Sequence, residues 1–214
     1  MRTETEQDDP MYGQLVMPNR NCHDRGDAIK NTLKDITGTS LNIGCNTGWF
    51  TFLLNGLGFD ATGVDIDDIP GKHRSSSWKN GTGGKIEFAR LLSEYKKIDN
   101  IKFDFANVNL EYVKQMKEYD VIMALSILHL YLEWPKETLG VNTISRAYWL
   151  ELFMTLANKA GQVFIFEIPD RIMSTLQFNN VGQFYNYIKD ECGFKEVNII
   201  CKTDTGRSLV SCHR

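Results

Sequence analysis

Apolar residues in this chain fall into short runs whose period switches between two and about 3.6, the signature of strands alternating with helices. A helix is expected from Asp24 to Ile36, capped by Asp24 with Ile29 and Leu33 on one face. Ser40–Gly44 reads as a strand, Gly48–Leu57 as a helix with Phe50, Leu53, Leu54 and Leu57 in one stripe, and Gly58 as its stop. Asp60–Asp65 is a second strand, Ile86–Lys97 a helix, and Ile101–Phe105 a third strand. The runs DVIMAL (Asp120–Leu125) and QVFIFEI (Gln162–Ile168) are strands four and five. Between them lies a helix over Thr143–Asn158, with Ala147, Leu150, Phe153, Met154 and Ala157 on its apolar side. A helix over Val181–Cys192 ends at Gly193. Strands near Lys195–Cys201 and Arg207–Cys212 follow, joined by a turn at Asp204–Gly206.

This alternation predicts an α/β fold: a doubly wound, mostly parallel sheet covered by helices on both faces. Nearly continuous apolar strands suit a sheet buried on both sides. The last two strands have no helix between them and should form an antiparallel hairpin. Residues 1–22 read as a tail and candidate lid, and 23–214 as one domain.

Composition narrows the picture. The 214 residues are enough for a full core, and the net charge of −3 gives no broad footprint for nucleic acid. Five cysteines, odd in number and with no CxxC pair, suggest neither a disulfide framework nor a zinc site, so no metal is expected. The polar, acidic N-terminus is unlike a signal peptide and no apolar run spans a bilayer, so a cytoplasmic protein without membrane contact is expected.

The most informative segment is LNIGCNTGWFTFLLNGLGFDATGVDID, residues 41–67. A strand enters a tight turn, Gly44-Cys45-Asn46-Thr47-Gly48, and leaves as a helix. The two glycines permit close approach of a ligand, and Asn46 tolerates left-handed backbone. Asp65 ends the next strand about 20 residues on, where a carboxylate can accept hydrogen bonds from ribose hydroxyls. No G-x-G-x-x-G is present, so a pyrophosphate cradle is not expected.

GCNTG followed by GVDID resembles the first two motifs of the seven-stranded, Rossmann-like (class I) S-adenosylmethionine-dependent methyltransferases. The resemblance covers about residues 24–214. It implies a sheet ordered 3-2-1-4-5-7-6, S-adenosylmethionine as cofactor and S-adenosylhomocysteine as product. It also implies cofactor contacts at Gly44, Cys45, Asn46, Gly48, Trp49, Asp65 and Ile66. The third motif would be Phe105-Ala106-Asn107-Val108, with Asn107 and Val108 beside the adenine, although the usual acid is missing there. The fourth resembles ALSILHL, residues 124–130, with Leu125 near the cofactor.

An acceptor would then lie over the carboxyl ends of strands four and five. His129, the first titratable residue past strand four, is the candidate base; its alternative is a packed histidine in an apolar turn. Ser126, Glu167, Arg25, Arg20 and Trp134 are candidate acceptor contacts. Glu167 and Asp170 are otherwise a solvated loop charge and a helix cap. Residues 70–84, with Lys72, His73, Arg74, Trp78 and Lys79, and residues 133–142 are candidate lids. The expected activity is methyl transfer to an oxygen or nitrogen of a small molecule, by a monomer or homodimer. RNA methylation stays open because the turn is also similar to that of RNA-terminal-phosphate and wobble-uridine-modifying enzymes. A non-catalytic cofactor-binding module and a nicotinamide-dependent oxidoreductase are further alternatives.

Overall fold

The structure is a computed structural model that describes residues 22–66, 84–133, 145–203 and 206–214. Its elements, in chain order, are α1 (Cys22–Leu33), β1 (Thr39–Ile43), α2 (Trp49–Gly56), β2 (Asp60–Asp65), α3 (Lys85–Tyr95) and β3 (Ile101–Phe105). Then come α4 (Leu110–Gln115), β4 (Tyr119–Ala124), α5 (Leu130–Glu133), α6 (Arg146–Asn158), β5 (Ala160–Pro169), α7 (Val181–Cys192), β6 (Glu196–Thr203) and β7 (Arg207–His213).

The strands form one seven-stranded sheet in the order β3-β2-β1-β4-β5-β7-β6. Pairings from β3 through β5 are parallel, while β7 runs antiparallel to both β5 and β6. Both the order and the C-terminal hairpin agree with the sequence reading. The central strands alternate sides with a period of two. Val121 and Met123 of β4 and Val163 and Ile165 of β5 pack with Ile29, Leu33 and Leu54 from α1 and α2. Their neighbours Ile122, Ala124, Phe164 and Phe166 pack with Trp149, Phe153, Leu156 and Phe184 from α6 and α7. A third cluster seats α3 through Ile86, Ala89 and Leu92 against Cys45, Phe52 and Phe103. Full burial of side chains of this size is worth about 1.5–3 kcal/mol each, so the two-faced core is the main source of stability.

Local chemistry sets the helix ends. The side chains of Asn109, Ser145 and Asn180 accept the backbone N–H of Tyr112, Tyr148 and Gln183, each an N-terminal cap. Gly193 turns left-handed (φ 67°) and stops α7. Asp24 does not cap α1, which begins at Cys22; it sits in the first turn, where its charge still complements the helix dipole. The six-residue α4 is too short to give a periodic signal. β5 runs two residues earlier and one later than expected, so that Glu167, near the end of the expected strand, is followed by two more strand residues.

Candidate cofactor site

The turn after β1 is folded onto the end of β2. Gly44, Asn46 and Gly48 all have positive φ (70°, 53° and 95°). The N–H groups of Gly44 and Cys45 donate to the Val64 carbonyl (2.8 and 3.1 Å), and that of Gly48 donates to the Cys45 carbonyl (2.9 Å). The Asn46 N–H donates to the Asp65 carboxylate at 2.7 Å. The bend and the acid that the sequence pairs across 19 residues are therefore in direct contact. Gly48 is required for space as well as for its φ: a Cβ there would stand 2.7 and 2.8 Å from ring atoms of Phe103.

The third and fourth motifs close around the same point. The Asp65 carbonyl accepts the Ala106 N–H (3.0 Å), which brings the segment after β3 alongside β2. Asn107 is exposed, and its carbonyl accepts the Asn109 N–H. Val108 is buried, and its carbonyl accepts the Tyr131 phenol. Ile66 follows Asp65 and is partly buried. Trp49 opens α2, packing edge-on against Phe50 and His23. Past β4, Leu125 is buried and Ser126 is left-handed (φ 56°), a backbone state that costs a non-glycine residue about 1–3 kcal/mol.

The thiol of Cys45 is pushed well up, first by burial and then by the negative charge of Asp65, so it stays neutral. Burial also raises the Tyr131 phenol. Both groups therefore stay neutral beside the Asp65 carboxylate.

Glu167, read as an acceptor contact or a solvated charge, is neither exposed nor in a loop: it is 2 % exposed within β5. Its Oε2 accepts Arg25 Nη1 at 2.7 Å and its Oε1 accepts Ser126 Oγ at 2.7 Å. Arg207 Nη1 of β7 approaches Oε1 at 3.5 Å. Three of the proposed acceptor residues are therefore brought together, as partners of one another. Arg207 was not singled out, since no local pattern marks it. His129 is 2 % exposed, in the turn between β4 and α5. Arg20, Trp134 and nearly all of both candidate lids lie outside the described residues. Among the described residues there is no cluster of three or more metal-ligating side chains, and no helix long and apolar enough to cross a membrane.

The sequence matches no protein-family model and none of the curated proteins. Solved structures do match. One is the bifunctional kinase-methyltransferase WbdD (TM-score 0.55, 17 % identity, covering 89 % of this chain and 37 % of that one). Another is magnesium protoporphyrin IX methyltransferase from Synechocystis PCC 6803 with S-adenosylmethionine bound (0.56, 15 %, 90 % and 79 %). The same enzyme with S-adenosylhomocysteine bound gives 0.57, 14 %, 90 % and 83 %. This chain spans under two-fifths of the length of WbdD. The molecule has the fold of the class I S-adenosylmethionine-dependent methyltransferases, a fold that in the magnesium protoporphyrin IX enzyme holds S-adenosylmethionine or S-adenosylhomocysteine.

Proposed function

We propose that this protein is an S-adenosylmethionine-dependent methyltransferase acting on an oxygen or nitrogen nucleophile of a small molecule. The observation that carries the reading is the 2.7 Å hydrogen bond between the Asn46 N–H and the Asp65 carboxylate, within the fold described above. It supports a single nucleoside site made by both motifs. Gly44, Cys45, Asn46, Gly48 and Trp49 would hold the amino-acid side of the cofactor, and Asp65 would accept from its ribose hydroxyls. Ile66, Asn107 and Val108 would flank the base, with Leu125 behind. When bound, the cofactor supplies an activated methyl on a sulfonium. The protein's own work is to orient the acceptor on axis and keep water out, and positioning of this kind is a large share of catalysis.

A hydroxyl or ammonium acceptor must also lose a proton, whereas a carboxylate need not. His129 is the candidate to take it, because its turn follows β4 and it is shielded from bulk water. Calorimetry tests the reading. Micromolar binding of S-adenosylhomocysteine with no binding of NAD supports it; NAD binding alone, or neither, defeats it. His129→Ala should lower turnover on an identified acceptor and leave S-adenosylhomocysteine affinity unchanged; equal turnover would remove His129 from the chemistry.

A further inference from the structure

Two arms of one buried carboxylate end on the cofactor turn. The first arm runs from Glu167 Oε1 to the Ser126 hydroxyl. Ser126 is held in its left-handed crook, and the next residue, Ile127, lies on Gly44, where an added Cβ would stand 3.1 Å from the Ile127 Cβ. The second arm runs from Glu167 Oε2 to Arg25. The Arg25 guanidinium covers the Phe50 ring at 5.2 Å. The adjacent Gly26 abuts Trp49 so closely that a Cβ would come within 2.6 Å of the indole. Gly44 and Trp49–Phe50 are the entry and exit of the turn.

We propose that Glu167 is a positioning residue for the cofactor site: from inside β5 it braces both ends of the Gly44–Gly48 turn without touching cofactor or acceptor. This rests on the reading of that turn as the S-adenosylmethionine site. The physics favours a stiff brace. Both hydrogen bonds are charge-assisted and short, and the carboxylate and Arg25 are 2 % and 4 % exposed, so salt screens them little. A left-handed serine relaxes once its hydroxyl loses its acceptor, and Ile127 then moves relative to Gly44. Likewise α1 has less to hold it over the first turn of α2 when Arg25 loses its carboxylate. Glu167 thereby joins α1, the β4 loop and β5 at the carboxyl edge of the sheet, where cofactor and acceptor must be held in line.

The test is a set of S-adenosylhomocysteine affinities for folded variants, checked by circular dichroism and a cooperative melt. Ser126→Ala and Arg25→Lys should each weaken binding about tenfold, the scale of one hydrogen bond to a charged group. In a Glu167→Met background, which keeps the length of the side chain and removes both carboxylate oxygens, Ser126→Ala should add less than about twofold, because the arm is already released. An ion pair that serves only global stability would lower the melting temperature and leave these affinities alone. Wild-type affinity in folded single variants, or the full Ser126→Ala effect persisting in Glu167→Met, overturns the proposal. Where Glu167→Met fails to fold, the Arg25→Lys/Ser126→Ala double variant replaces it: a sub-additive penalty supports the brace and an additive one overturns it. If the wild type binds no S-adenosylhomocysteine, the functional reading falls by itself. Hydrogen exchange then judges the brace: faster exchange of amides 44–50 in Ser126→Ala and of amides 22–33 in Glu167→Met keeps it, and unchanged exchange overturns it.

Discussion

Replacing Asp65 with alanine removes two things of different kinds. The Asn46 N–H loses its 2.7 Å acceptor, a cost to the folded protein of about 1 kcal/mol. The ribose of a bound cofactor loses its carboxylate, which should weaken binding by about 1–3 kcal/mol, or about 5- to 150-fold. Asp65→Asn separates the two. Its amide oxygen can still accept the Asn46 N–H, so the melting temperature should lie near wild type, while the lost charge still weakens binding. The assay is isothermal calorimetry with S-adenosylhomocysteine, which does not turn over, beside a thermal melt of each variant. Folded Asp65→Ala with unchanged affinity would mean that the ribose lies elsewhere, and the account of the site would fail with it.

Other substitutions test the supporting structure. Gly48→Ala should destabilise the protein by about 1–3 kcal/mol through its left-handed φ and the clash with Phe103, and should abolish measurable cofactor binding; a wild-type melting temperature would contradict this. Asp120 accepts the Thr39 N–H and hydroxyl and the Gln162 amide, and these bonds hold its carboxyl below the ordinary aspartate range. A depressed folded-state pKa gives stability that is full above the unfolded value near 4 and lost as pH falls through the lower folded value. Asp120→Asn should therefore flatten the acid limb of a melting-temperature profile; an unaltered limb would refute it. The Arg214 guanidinium donates to the carbonyls of Ala160, Cys192 and Ala157 and to the Asn158 side chain, tying β5 to the C-terminal ends of α6 and α7. Arg214→Ala should cost about 1–3 kcal/mol in urea unfolding, and a shift of the midpoint too small to measure would show those bonds to be idle.

The parts of the fold that could be read from the sequence are those that local chemistry dictates. DVIMAL and QVFIFEI had to be two-faced strands because odd and even positions alike are apolar, and each set found its own cluster. The GCNTG turn and Asp65 were legible because the spacing of strand, turn and acid follows from how adjacent parallel strands are joined. The environment of Glu167 was not. Its two short contacts come from residues 142 and 41 positions away, and no periodicity encodes a pairing of that range. A carboxylate two residues before a proline read as an acceptor contact or a loop charge, yet β5 continues through Pro169, where β7 pairs with it. The short α4 escaped for the opposite reason: its one legible sign was the Asn109 cap, and one capping residue without a stripe is common in loops.

The backbone of the turn also bears on which kind of cofactor fits. A pyrophosphate cradle presents several successive N–H groups to the ligand, with the helix dipole behind them. Here the N–H groups of Gly44, Cys45, Asn46 and Gly48 are all consumed inside the protein, on Val64, Asp65 and Cys45. A dianionic bridge would meet donors that are already occupied. A sulfonium nucleoside carries no phosphate bridge. Its ribose needs an acceptor, which Asp65 would be on the proposed reading, and its positive charge needs no anion-binding nest. The arrangement that lets the turn close on β2 thus occupies the donors a phosphate bridge would use, and the dinucleotide pattern is correspondingly incomplete, with Asn46 and Trp49 where its second and third glycines would stand.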